Sequence, residues 1–298
     1  MAPDYAIECS QVSKRYSDFQ LNPLDLSVPT GSVMGFVGPN GAGKSTTLRI
    51  IMGLIHQDEG EVTVLGNAMP DQQIDAKWQV GYLSEDMRLY PGQDIGFHMT
   101  FMRSIYPTWD DQYAALLLKR FNLKAEQKVK GLSHGQRVKA SLLMALARHP
   151  KLLVLDEPTT GLDPLAREEI LEEMSTVLLE EDRTILFSSH NTQDVEQLSD
   201  EITFINGGSL LFTKDKETLL DDWRRIRLQV TEEFSMPNIP GLMNVQQNGR
   251  MRTLLTNQYS QDVEKALCAA DASVTATERL TLEEIFLASV MEKRELMQ

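Results

Sequence analysis

Short apolar runs alternate with amphipathic stretches along most of the chain, which predicts strands interleaved with helices. Two runs are continuously apolar, as in strands buried inside a parallel sheet, at residues 152–155 and 184–188. Shorter apolar runs bounded by turn residues predict further strands at residues 7–13, 24–28, 33–37, 61–65 and 80–83. Helical periodicity covers residues 45–55 and 165–179. We therefore expect an α/β protein with a mainly parallel sheet core and an antiparallel β portion.

A helical segment interrupts this alternation after residue 85. Apolar side chains recur at helical spacing from Phe97 to Ile105 and again from Tyr113 to Phe121, and Pro107 separates the two helices. A further helix is predicted over residues 136–148. These helices predict an insert over about residues 86–150 in the sheet domain.

The pattern changes again after Lys214, once a predicted hairpin has turned at Gly207 and Gly208. Strands at 226–230 and 252–256 and helices at 262–270 and 282–293 predict a small α+β domain over residues 215–298. Residues 1–214 then form the first domain. The last helix carries an apolar stripe, which either packs within the chain or meets the same segment of a second subunit.

Composition narrows the class of protein. With 42% hydrophobic and 24% charged residues, the 298-residue chain has the composition of a globular protein. The formal net charge of −14 disfavours a general nucleic-acid binder, which needs surplus Lys and Arg against phosphates. Cys9 and Cys268 lie far apart and are expected to be reduced thiols. Since neither a signal peptide nor an 18-residue apolar span is visible, we expect a soluble intracellular chain.

The turn after the predicted strand 33–37 carries a phosphate-binding pattern. It fits G-x-x-x-x-G-K-[ST] between a strand and a helix, over Gly38, Pro39, Asn40, Gly41, Ala42, Gly43, Lys44, Ser45 and Thr46. The glycines let backbone N–H groups converge on phosphate oxygens beside the positive end of a helix. Lys44 is expected to reach the β- and γ-phosphates of a nucleotide, and Ser45 to bind Mg²⁺. The pattern predicts the P-loop of a nucleoside triphosphatase.

Two carboxylates follow the predicted strand 152–155. Asp156 and Glu157 stand where that strand emerges at the ligand-binding edge of the sheet. Asp156 is expected to hold Mg²⁺, and Glu157 to polarise the attacking water. An apolar strand that ends in Asp-Glu is also common for structural reasons, and the preceding P-loop makes the catalytic interpretation more specific.

The remaining motifs resemble those of ATP-binding cassette (ABC) proteins. The segment Leu132-Ser133-His134-Gly135-Gln136 is similar to the LSGGQ signature of that family, and Gly161-Leu162-Asp163 is similar to its D-loop. His190 follows the strand 184–188 as the switch histidine does, and Tyr16 stands where the family has an aromatic residue against adenine. The resemblance covers about residues 5–213.

This resemblance implies a head-to-tail dimer in which ATP lies between the P-loop of one subunit and the signature of the other. Ser133, Gly135 and Gln136, with Asp163, then contact a nucleotide held by a second cassette, either an identical chain or a paralogue. Lys44, Glu157 and His190 are the implied catalytic residues. The chain departs from the family pattern at His134, in place of a glycine, and at Glu85, in place of a glutamine that senses the metal. A carboxylate also binds Mg²⁺, so Glu85 joins Ser45 and Asp156 as an expected metal ligand, with an exposed loop acid as the alternative.

The function implied is that of an ATP-hydrolysing subunit of a membrane transporter, similar to exporter and antibiotic-type subunits. Residues 280–286 (LTLEEIF) resemble the closing helix of that group, and residues 106–110 (YPTWD) resemble the YtrB-like subgroup within it. Separate transmembrane subunits are then the partners, and they provide the contact with the cytoplasmic face of the membrane. The alternative is a soluble cassette ATPase of translation or DNA repair. A single uninterrupted cassette and the negative charge argue against it and against a nucleic-acid partner.

Overall fold

Strands and helices alternate through the first two thirds of the chain. The computed structural model describes residues 4–84, 88–178, 183–232 and 234–296. Its strands are β1 (Tyr5–Arg15), β2 (Gln20–Pro29), β3 (Val33–Val37), β4 (Glu59–Val64), β5 (Asn67–Met69), β6 (Val80–Leu83), β7 (Leu152–Asp156), β8 (Thr184–Ser189), β9 (Glu201–Asn206), β10 (Ser209–Asp215), β11 (Arg224–Val230), β12 (Leu242–Asn248), β13 (Met251–Thr256) and β14 (Ala272–Arg279). Its helices are α1 (Lys44–Ile51), α2 (Gln73–Trp78), α3 (Ile95–Ile105), α4 (Asp111–Arg120), α5 (His134–Leu146), α6 (Pro164–Leu178), α7 (Thr192–Leu198), α8 (Lys216–Asp222), α9 (Gln261–Ala269) and α10 (Leu282–Leu296), with a 3₁₀ turn at Val129–Gly131.

A six-stranded sheet is central to the first of two units, Met1–Phe212. Its order is β10-β9-β3-β8-β7-β6, and the five strands from β9 to β6 run parallel. Every residue of β3, β7 and β8 is buried, which explains their continuously apolar sequences. The predicted α/β class with a mainly parallel core is confirmed.

The same unit contains a second, antiparallel sheet of order β2-β1-β4-β5. Its inward side chains alternate with exposed polar ones, as expected of a sheet with one solvated face. The helical segment is α3, α4 and α5. Asp94 and Asp110 cap α3 and α4 by accepting hydrogen bonds from backbone N–H groups of their first turns.

The second unit, Thr213–Gln298, contains a four-stranded antiparallel sheet of order β12-β13-β11-β14. Its core includes Ile226, Leu228 and Leu254 from the sheet with Val263 and Leu267 from α9. On α10, Leu282 and Ile285 are buried, whereas Leu287 and Met291 are exposed.

The structure contains six elements that the hydrophobic pattern does not predict: β5, α2, α7, α8, β12 and β14. The first four have three to seven residues, too few to show a clear period. Among the described residues, no helix combines the length and the apolar character that crossing a bilayer requires.

Candidate functional site

Parallel pairing brings the ends of three strands to one edge of the large sheet. Val37, the last residue of β3, pairs with Ser189 of β8, and Asp156 of β7 pairs with Ser188. The chain therefore leaves all three strands side by side, into the P-loop, Glu157 and His190. Ligands of open α/β sheets bind at this carboxyl edge.

The P-loop turns from β3 into α1 through conformations that need glycine. Gly41 and Gly43 have φ angles of 78° and 111°, in the region that side chains disfavour. At Gly38 a Cβ atom would lie 2.3 Å from the carbonyl oxygen of Ile205. These glycines are required by backbone shape and by close packing, and Gly43 directly precedes the N-terminus of α1.

A cavity of about 500 Å³ opens over this loop. It is lined by Asp18, Phe19, Pro39, Asn40, Gly41, Gly43, Lys44, Ser45, Thr46 and Glu157. A loop of this kind leading into a helix N-terminus is suited to bind phosphate oxygens through its N–H groups. Seven of the nine predicted loop residues thus line one cavity, and Gly38 and Ala42 do not.

Lys44 is buried at the base of this cavity, with 5% of its side chain exposed. Its ammonium donates hydrogen bonds to the carbonyl oxygens of Gly38, at 2.6 Å, and Pro39, at 3.2 Å. Nζ also lies 3.0 Å from Oε1 of Glu157, an ion pair outside aligned hydrogen-bond geometry. A phosphate in the cavity would compete with this carboxylate for the Lys44 charge.

Glu157 is held in place by neighbours on β8 and on its own turn. Its φ angle is 52°, and its N–H donates to the Ser188 hydroxyl at 2.9 Å. Oε2 accepts from the Thr160 hydroxyl at 2.7 Å and lies 2.8 Å from Nδ1 of His190. Because an ionised carboxylate only accepts, Nδ1 carries the hydrogen of this bond.

Burial alone would raise the pKa of the Glu157 carboxyl. The Thr160 hydrogen bond, the Lys44 charge and the His190 hydrogen bond outweigh it, so the pKa is lowered from its ordinary value. Glu157 is therefore ionised at neutral pH, as a group that accepts a proton must be.

Asp156 lies beside this network and is 2% exposed. Its Oδ1 accepts a hydrogen bond from the Ser188 hydroxyl at 2.7 Å, and the same hydroxyl accepts from Glu157. In the described part of the chain, no three His, Cys, Asp or Glu side chains form a metal-binding cluster. Oxygen donors at Asp156 and Ser45 fit a metal that takes its other ligands from phosphates and water, as Mg²⁺ does.

The signature-like residues lie apart from the P-loop cavity. Ser133 caps α5, where its hydroxyl accepts from the N–H of Gln136 at 3.2 Å, and Gln136 Oε1 accepts from the N–H of Ser133 at 3.0 Å. Gly135 is packed closely, since a Cβ there would lie 3.0 Å from that of Ala166. Asp163 caps α6 by accepting from the N–H of Ala166 at 3.0 Å. None of these four predicted residues lines the cavity over the P-loop.

Comparison with known proteins agrees with this geometry. Residues 21–160 match the family model described as "ABC transporter". Nod factor export ATP-binding protein I of Sinorhizobium fredii is 33% identical over 273 residues, which are 88% of this chain and 74% of the relative. The chain belongs to the ABC transporter family. It is an ATP-binding subunit of that family.

Other relatives and structures of ABC proteins are also similar to this subunit. YtrB, an ABC transporter ATP-binding protein of Bacillus subtilis strain 168, is 29% identical over 97% of this chain and 99% of its own. A solved ATP-binding subunit of an ABC transporter superposes with a TM-score of 0.67 and 25% identity, over 72% of this chain and 92% of that chain. The ABC cassette MJ0796, solved as a dimer bound to ADP and Pi, shares the fold at a TM-score of 0.62 and 22% identity, over 70% and 98%. ABC cassettes hydrolyse ATP, so this chain is an ATPase.

Several residues of the ABC site carry no signal in the sequence. Phe19, Thr160 and Ser188 each contribute to the cavity or hold Glu157, yet they are common residue types outside any motif. Tyr16 is 44% exposed and its ring centroid lies 6.4 Å from that of Phe19. Of these two aromatics, Phe19 lines the cavity and Tyr16 does not. Glu85 lies outside the described residues.

Proposed function

We propose that this ABC subunit powers an exporter, in which two cassettes close on ATP and move separate transmembrane subunits. The arrangement of Lys44, Glu157 and His190 at the carboxyl edge carries the proposal, because it places a phosphate-binding cation beside an ionised base. The export direction is supported by relatives named for Nod factor export, one of which aligns over 88% of the chain.

The P-loop is proposed to hold the ATP phosphates through its N–H groups and through Lys44. Ser45 and Asp156 would hold Mg²⁺, with Glu85 as a third oxygen ligand. When bound, the ion neutralises charge on the phosphate oxygens. Phe19 lines the cavity and the ring centroid of Tyr16 lies 6.4 Å from that of Phe19, so we expect these two aromatic side chains to contact the adenine ring.

Glu157 would take a proton from the attacking water as ATP is hydrolysed. Four neighbours hold it in position: Ser188 at its N–H, Thr160 and His190 at Oε2, and Lys44 at Oε1. His190 would also orient the water or the γ-phosphate, since its Nε2 stays available while Nδ1 is bonded to Glu157.

A second cassette would complete the site. Ser133, Gly135, Gln136 and Asp163 sit at the N-termini of α5 and α6, where the helix dipole favours an anion. They lie outside the P-loop cavity of their own chain. A nucleotide held by another chain, identical or paralogous, is their proposed ligand.

The experiment isolates the complex from membranes of the cells that make it. The full-length Glu157→Gln variant is tagged and purified in the presence of ATP. We expect membrane-spanning chains to copurify with it. That result would place the subunit at the cytoplasmic face of the membrane. Lys44→Ala serves as the matched control for ATP dependence. Recovery of ribosomal or DNA-repair components without membrane-spanning chains would instead support a non-transport ATPase.

The transport direction needs a second measurement on the recovered complex. In vesicles with the cassettes facing outward, an exporter takes its substrate from the cassette side. A transported compound is therefore expected to stimulate ATP hydrolysis when it is added outside the vesicles, and not when it is enclosed within them. Stimulation only by enclosed compounds would indicate import.

A further inference from the structure

His134 forms a contact that a glycine at its position cannot make. It is the first residue of α5, and its Nε2 lies 3.0 Å from the carbonyl oxygen of Thr160. Because a carbonyl only accepts, Nε2 must carry the hydrogen. Both the neutral Nε2–H tautomer and the imidazolium satisfy this requirement, so protonation does not break the bond.

The D-loop side of this contact is shaped for the ring. Gly161 follows Thr160 with a φ angle of 71°, and a Cβ built on it would lie 3.5 Å from the His134 imidazole. The ring thus lies against the Thr160–Gly161 peptide, which connects β7 to α6. His134 and Thr160 also line, together with Glu157, a second cavity of about 500 Å³.

Thr160 connects this contact with the base. Its hydroxyl donates to Oε2 of Glu157 at 2.7 Å, and its N–H donates to the Glu157 carbonyl at 3.2 Å. One residue therefore receives a hydrogen bond from the signature helix and donates two to Glu157. The orientation of the Thr160 peptide determines where its hydroxyl points, because side chain and backbone share the same Cα.

We propose that His134 is a positioning residue for ATP hydrolysis: it holds the Thr160 carbonyl, and through Thr160 it orients the Glu157 carboxylate. The signature helix of a chain is thereby connected to the base of the same chain. This role rests on the proposed function of Glu157 as the base. It is distinct from any contact of Ser133 and Gly135 with a nucleotide on a second cassette.

Two substitutions of similar volume separate the hydrogen bond from packing. His134→Gln keeps an N–H donor at about the reach of Nε2, whereas His134→Leu has none. Full-length His134→Leu is expected to lose about 3- to 10-fold in kcat, the range of one neutral hydrogen bond, with KM for ATP and thermal stability unchanged. His134→Gln is expected to recover most of that loss. Equal rates in wild type and His134→Leu, or equal loss in both variants, would overturn the proposal.

Thr160→Val tests whether the effect passes through Thr160. Valine keeps the shape of threonine and removes the hydroxyl that Glu157 accepts. If His134 acts through this residue, the double variant His134→Leu/Thr160→Val loses no more than the slower single variant. Multiplied losses would show that His134 acts elsewhere, for example on a nucleotide of the second cassette.

The design keeps this proposal separate from the assignment of Glu157. Glu157→Gln is measured in the same assay. If Glu157→Gln hydrolyses ATP at the wild-type rate, the proposed base is wrong; if it is inactive while His134→Leu is fully active, only the role of His134 fails. Nitrogen-15 NMR of the imidazole gives an independent readout, since the structure requires hydrogen on Nε2 of His134.

Discussion

At the residue scale, Glu157 and Lys44 form a buried ion pair. The Glu157 and Lys44 side chains are only 8% and 5% exposed, so both charges are largely removed from water. Either charge would be costly to bury without the other. We expect this pair to weaken phosphate binding, because a phosphate that approaches Lys44 would compete with the Glu157 carboxylate for its charge. The proposed base and the proposed phosphate-binding cation are therefore already paired in the structure.

The first prediction follows from this pair. Glu157→Gln is expected to lower the turnover number by about 100-fold or more, since the amide is no base. ATP is expected to bind at least as tightly as in wild type, because an uncharged amide competes less for Lys44. Steady-state hydrolysis and titration with a fluorescent ATP analogue measure the two quantities. Weaker ATP binding in the variant would contradict the competition between carboxylate and phosphate.

Cys9 provides a second prediction at this scale. Burial in β1, and secondarily the nearby charge of Asp25, raises the pKa of its thiol from 9.0 to about 12. The unfolded chain loses this proton above pH 9 and the folded chain keeps it, so stability falls as pH rises between the two values. We expect the wild type to lose about 1.4 kcal/mol per pH unit there relative to Cys9→Ala. Urea unfolding of both proteins from pH 8 to 10.5 measures the difference, and parallel curves would refute it.

At the element scale, close packing of β3 against α7 depends on Gly35. A Cβ on this residue would lie 2.3 Å from Cγ1 of Val195 and 2.5 Å from the hydroxyl of Ser199. β3 leads into the P-loop, and both of its neighbours, β8 and β9, are paired in parallel. The absence of a side chain at one position thus sets how near α7 lies to the strand that supports the P-loop.

Gly35→Ala is therefore expected to destabilise the first unit by about 1 to 3 kcal/mol, the usual cost of overpacking. Gly92→Ala is the matched control, because a Cβ at Gly92 meets no atom within 4 Å. It should change the free energy of unfolding by less than about 0.5 kcal/mol. Urea denaturation followed by circular dichroism provides both values. Equal effects of the two substitutions would mean that α7 moves away without cost.

At the scale of the whole molecule, the two units have separate hydrophobic cores. The core of Met1–Phe212 includes Phe36, Leu48 and Val154, and that of Thr213–Gln298 includes Leu228 and Leu254. A ligand stabilises only the unit that binds it when the units unfold independently. A single free energy of unfolding then does not describe the chain.

Calorimetry is expected to resolve two unfolding transitions, and ATP is expected to raise the midpoint temperature of only one of them. Lys44→Ala should abolish that shift. Leu228→Ala truncates a fully buried side chain of the second unit. It should lower the free energy of unfolding of that unit by about 2 to 5 kcal/mol and leave the midpoint of the ATP-dependent transition unchanged. One transition that responds to ATP and to Leu228→Ala alike would show that the units unfold together.

Local pattern was sufficient for much of the fold. The bounds of β3 agree with the predicted strand, and those of β7 and β8 differ by one residue at the C-terminal end. This succeeds because burial on both faces requires an unbroken apolar run, which can be recognised without knowing the neighbours. The P-loop and the Asp156-Glu157 pair were also visible, since each motif occupies consecutive positions.

What only the tertiary structure decided is which of these separate signals meet, and how. The pairing of β3 with β8, and of β8 with β7, brings Lys44, Glu157 and His190 together from three distant segments. Phe19 and Thr160 enter the site through contacts that no periodicity encodes. Hydrophobic period is a property of one element, whereas strand order, side-chain reach and the shielding of charge from water arise only when elements pack.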